Sequence, residues 1–162
     1  MDPILFLARE FLYKMTGSNV DPEEREAYRG SLAAFIESED GRPAPGLLIR
    51  SFNRLGDEEY AAFPPETMLW FLDWIASQEN EELAASLDRA VFRRIWTAFD
   101  DAPVRLRVIE VALQWEAGRV SPGQSILRAI YEMAGDDRDL VLDSLRFDGS
   151  EYARALMRAI GL

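Results

Sequence analysis

A capping side chain stands directly before a proline three times in this chain, at Asp2-Pro3, Asp21-Pro22 and Ser121-Pro122, and more loosely at Asp101-Ala102-Pro103. The pairing marks a helix start. The side-chain oxygen takes an orphan amide of the first turn, and the proline sits where its missing N–H is not needed. Gly17, Gly56, Gly118, Gly135 and Gly149 fall where the preceding apolar periodicity ends, which suits helix C-termini. Together these marks predict helices over 3–16, 22–38, 46–55, 57–63, 65–78, 81–99, 103–117, 122–134, 137–147 and 150–160, the two shortest no more than single turns. No segment alternates apolar and polar residues for long enough to make a strand.

The expected fold is therefore all-α: a compact multi-helix bundle or irregular helical array of about seven to nine helices, with an α-solenoid as the open variant. Successive helical pairs of similar length suggest the solenoid, although no fixed period repeats. At 162 residues the chain suits one domain, in which roughly 70% of the unfolded surface is hidden. The stretch Glu39-Asp40-Gly41-Arg42-Pro43-Ala44-Pro45-Gly46 cannot continue a helix, so a connection is expected at about 39–46, too short to separate domains.

Helical wheels pick out three segments. In 103–117, Val104, Val108, Val111 and Trp115 share one face, while Leu106, Ile109 and Leu113 share nearly the opposite one. A helix apolar on two sides belongs between neighbours. Its narrow polar strips carry Arg107, Glu110 and Gln114 on one side and Arg105 with Glu116 on the other, with Arg107 and Glu110 spaced to pair. In 65–78, Glu66, Asp73 and Ser77 line one strip, so Asp73 marks the wet edge of an otherwise apolar helix. Trp70 and Trp74 border that strip, one turn apart, placed either to seal the core or to form a docking ridge. In 81–99, read as one helix, Asp88 projects into the apolar face among Leu87, Ile95 and Phe99. An acid in that position needs a cationic partner or takes a raised pKa, which makes Asp88 a candidate perturbed acid.

Composition narrows the chemistry. The chain has no histidine and no cysteine, which excludes serine–histidine triads, thiolate nucleophiles, disulfides and the usual zinc and iron ligand sets. Neither a P-loop nor a dinucleotide-binding glycine motif is present, and Gly135-Asp136-Asp137-Arg138-Asp139 lacks the residue order of a calcium loop. No catalytic residue, metal or cofactor is therefore expected. The net charge of −11 is uneven: 20 acids face 10 bases in residues 1–101, against 9 and 8 in 102–162. Such a field repels nucleic acid and favours basic partners. The chain opens without the basic region of a secretory signal, and no apolar run reaches the roughly 18 residues of a membrane span.

These exclusions predict a non-catalytic cytoplasmic interaction module, of inhibitor or immunity type, an adaptor or a regulatory subunit. It would present an acidic, aromatic-bearing surface to a basic or amphipathic protein partner. Tryptophan dominates many interfaces, so Trp70, Trp74 and Trp96 are the expected partner-binding residues. Two alternatives compete: a helical enzyme or small-ligand binder with a carboxylate-lined pocket built around Asp88, and an acidic mimic of nucleic acid.

Overall fold

The computed structural model describes residues 49–162, Ser51 apart, together with Glu23. The expected helices 3–16 and 22–38 and the 39–46 connection lie outside the described residues. Within them the fold is all-α, without a strand. Helical residues 49–50 and 52–54 lead into α1 (Asp57–Ala61), α2 (Pro65–Ala76), α3 (Glu81–Ala85), α4 (Ala90–Ala98), α5 (Ala102–Glu116), α6 (Ile126–Met133), α7 (Arg138–Asp148) and α8 (Glu151–Ile160). Single 3₁₀ turns, Pro122–Gln124 and Gly135–Asp137, precede α6 and α7.

The helix starts are set by the side chains that the sequence offers. Asn80, Asp101, Ser125 and Ser150 each accept an amide of the helix they open. Gly149 ends α7 at φ 65°, a left-handed conformation that a side chain would strain.

Two expected helices are interrupted. The 81–99 segment breaks at residues 86–89, where Asp88 Oδ1 accepts the Ala90 amide at 2.9 Å and so starts α4 afresh. Asp88 also donates its own amide to Asn53 Oδ1 at 2.9 Å. Propensity favours one long helix here, but the local cap and the bond to Asn53 divide it. The 122–134 segment likewise resolves into a 3₁₀ turn and then α6, because Ser125 takes the Leu127 amide at 3.0 Å.

Helix α5 lies at the centre, against α2, α4, α6 and α7. Val104, Val108, Val111 and Ala112 on it have no exposed surface. Among the described residues the substantial packings join elements close in chain order: α1 on α4, α2 on α5, α4 on α5 and α6, α5 on α6 and α7, α6 on α7 and α8, and α8 on α7 and on the 3₁₀ turn Pro122–Gln124. The result is an irregular array of near neighbours.

Polar ties hold the array at both ends of α5. At its start Arg105 lies over the Trp96 ring, its Cζ 4.7 Å from the centroid, and donates to the Phe99 carbonyl at 2.8 Å and to Asp137 at 2.6 Å. At its end Arg119 grips Glu81 through two bonds of 2.9 and 2.5 Å, while the Trp115 indole donates to the Ala84 carbonyl at 3.0 Å. No helix among the described residues is long and apolar enough to cross a membrane.

Candidate interaction groove

The residues expected to meet a partner are distributed differently from the sequence reading. Trp96 is 1% exposed beneath Arg105, and Trp74 is 5% exposed, stacked near Phe71 with a ring separation of 6.3 Å. Neither offers a surface. Trp70 is half-buried and packs against the core. The α2 helix therefore seals the core with Trp74. Asp73 beside it is exposed and binds Arg107 at 2.7 Å.

The sheltered acid expected at Asp88 depended on an unbroken 81–99 helix. With the break in place Asp88 is exposed, and its carboxylate serves as a helix cap. Asp88→Ala is accordingly expected to cost about 0.5–2 kcal/mol of stability, the usual value of such a cap. Urea unfolding measures it, and an unchanged midpoint would remove the capping role.

The exposed apolar surface lies elsewhere. Helices α5 and α7 leave between them a groove with a volume of about 870 Å³. Its floor is Ile109 and Leu113 of α5 with Leu140 of α7. Leu106, 39% exposed, stands at one side, and Phe147, 95% exposed, at the other. On α5, Leu106, Ile109 and Leu113 recur at helical spacing on one face, the second of its two apolar sides. On α7, Leu140, Ser144 and Phe147 form a similar row, while Val141 and Leu145 turn the other way into the core. On the second apolar face of α5, Ile109 and Leu113 are buried and Leu106 is left exposed.

The rim of the groove is mostly acidic. Glu110, Asp143 and Asp148 line it with Arg107. Arg107 is already held by Asp73 at 2.7 Å and Glu110 at 3.3 Å, and Asp143 meets Arg146 at 3.5 Å. Three carboxylates, Asp73, Glu110 and Asp143, thus share two guanidinium groups beside the groove, while Asp148 accepts the Ser150 amide at 3.0 Å. The expected Arg107–Glu110 pair is present.

One more polar group stands out, on the opposite side of α5. Glu116, its last residue, has no exposed surface. It accepts the Ser125 hydroxyl at 2.5 Å and the Ile126 amide at 2.9 Å, tying the end of α5 to the start of α6. Burial pushes its carboxyl above the ordinary carboxylate value, outweighing those two donors, the Arg89 charge and the Leu127 amide, which all pull it down. Glu116 and Phe147 are the two residues of interest that sequence reasoning passed over. For Phe147 a signal existed, since it falls off the Val141–Leu145 stripe. Glu116 gave none, because its burial depends on residues far along the chain. Among the described residues no three carboxylates gather where they would hold a metal ion.

No protein-family model matches the chain, and no curated protein or solved structure matches it either.

Proposed function

We propose that this domain is a non-catalytic protein-binding module whose α5–α7 groove receives a basic amphipathic helix from a partner protein. The observation that carries the reading is Phe147, a phenylalanine with 95% of its surface exposed beside a half-covered apolar groove. Single exposed apolar residues are ordinary on any surface. Here the aromatic ring, Leu106 and the half-buried Leu140 line one groove over the buried Ile109 and Leu113, the arrangement in which a helix lays down side chains spaced i, i+4 and i+7. The acidic rim and the net charge of −11 supply the complement to lysines and arginines flanking such a stripe. The role is that of an inhibitor, an adaptor or a regulatory subunit, each of which works through such a surface.

The test is titration with a synthetic helical peptide of about 18 residues that carries leucines on one face and lysines on the other. Phe147→Ser is expected to weaken binding at least about tenfold, or about 1.4 kcal/mol. Because its ring makes little of the core, stability is expected to change by no more than about 0.5 kcal/mol. Equal binding by Phe147→Ser would overturn the proposal. So would Phe147-dependent self-association of the protein alone, which would assign the groove to a second copy.

A further inference from the structure

Arg105, Arg107, Arg119, Arg128 and Arg146 each meet a carboxylate. Arg93 and Arg94, side by side on α4, meet none among the described residues. Arg94 is half-buried, and its Nη1 donates to the Asn53 carbonyl at 3.0 Å and to the Leu55 carbonyl at 3.5 Å. Those bonds fix the guanidinium at the end of helical residues 52–54, and among the described residues its Nε and Nη2 donors remain unused. Arg93 is exposed and makes no hydrogen bond or ion pair among the described residues. Thr97, one turn further along α4, likewise keeps its hydroxyl unbonded among them.

All three side chains line one pocket with a volume of about 590 Å³. Leu55, half-buried, and Met133, 48% exposed at the end of α6, supply its apolar wall. Asp57 also lines the pocket, yet it forms no ion pair among the described residues, and Arg54 lines it while already engaged. On a chain of net charge −11, two adjacent guanidinium groups without a carboxylate reverse the field locally.

We propose that this pocket binds the phosphate of a small phosphate monoester. A guanidinium offers a fork of N–H donors that meets an oxyanion through two bonds at once. With the Thr97 hydroxyl, the two arginines make three donor groups on one turn of α4, matching the three free oxygens of a phosphate monoester. A carboxylate, with two oxygens, would leave one of them unmet. The partial burial of Arg94 limits the screening that weakens fully exposed charges. Leu55 and Met133 stand where an apolar group on the ester oxygen would rest, the usual division of a small-ligand pocket between polar and apolar walls. Asp57 and the negative field of the whole chain oppose a polyanion, so the ligand carries a single phosphate and is not a nucleic acid. The pocket shares no lining residue with the α5–α7 groove, so the two readings fail separately.

Titration of the full chain with phenyl phosphate at constant ionic strength, followed by NMR of the arginine Nε–Hε and the threonine and methionine methyl signals, tests the proposal. Saturable shifts centred on Arg94, Thr97 and Met133 are expected, with a Kd of about 1 mM or tighter. Arg93→Gln, at an exposed position, is expected to leave the unfolding midpoint unchanged and to weaken binding at least about fivefold. Thr97→Val is expected to weaken it about threefold, through loss of one hydrogen bond. Phenol, which lacks the phosphate, is expected to shift none of these signals. Equal binding by Arg93→Gln overturns the proposal, as do equal shifts with phenol. Shifts spread evenly over Arg128, Arg154 and Arg158 overturn it too, since they would report only attraction to surface charge.

Discussion

Trp96→Ala is expected to destabilise the domain by about 3–5 kcal/mol, the range for truncating a fully buried tryptophan. Trp96 is 1% exposed, and the cavity left on its removal would lie between α4 and the Arg105 side chain. Total stability in a domain of this kind is about 5–15 kcal/mol, so the variant would stand near the edge of unfolding. Denaturant unfolding is the measurement. A variant that kept its stability and lost peptide binding would return Trp96 to the surface role that composition suggests.

The second large effect is expected at Arg105, whose side chain is 17% exposed. It donates to the carbonyls of Phe99 and Trp96 at the end of α4, covers the Trp96 ring and binds Asp137 ahead of α7. Arg105→Ala leaves those helix-end carbonyls without their charged donor, and a loss of about 2–4 kcal/mol is expected from the usual worth of such bonds. Arg105→Lys should restore little, because an ammonium cannot reach two carbonyls, a carboxylate and a ring face in one fork. Asp100, at 3.2 Å but 96% exposed, adds little to the sum. Pairing Arg105→Ala with Trp96→Ala should give a stability change smaller than the sum of the two, since each removes the other's contact. Strict additivity would show that the stacking contributes nothing.

Much of the architecture is legible in the sequence because its helix boundaries are written in side chains that act locally. Asp101 caps α5 and Gly149 takes the left-handed turn that ends α7, both where the sequence places them, whereas the cap expected at Ser121 falls instead at Ser125. The central position of α5 follows from apolar residues on two faces. The break at Asp88 is harder to read, since a cap inside a good helical stretch is recognised only when a second element, here Asn53, holds the turn.

The candidate site is less legible for a physical reason. A tryptophan bordering a polar strip reads the same whether a neighbouring helix covers it or water does, and packing decided for cover at Trp74. Leu106, Ile109 and Leu113 read as one buried face, and Ile109 and Leu113 are buried, yet Leu106 remains 39% exposed. Exposure of an apolar face is a property of how helices meet, and periodicity does not encode it.

The central claim, that a partner helix docks between α5 and α7, is tested most directly by NMR shift mapping with the leucine–lysine peptide on the full chain. The claim predicts that the largest methyl and aromatic shifts fall on Leu106, Ile109, Leu113, Leu140 and Phe147. Replacing the peptide's leucines by glutamine should abolish them. Shifts centred on Leu69 and Trp70, or shifts that persist without the leucines, would contradict it.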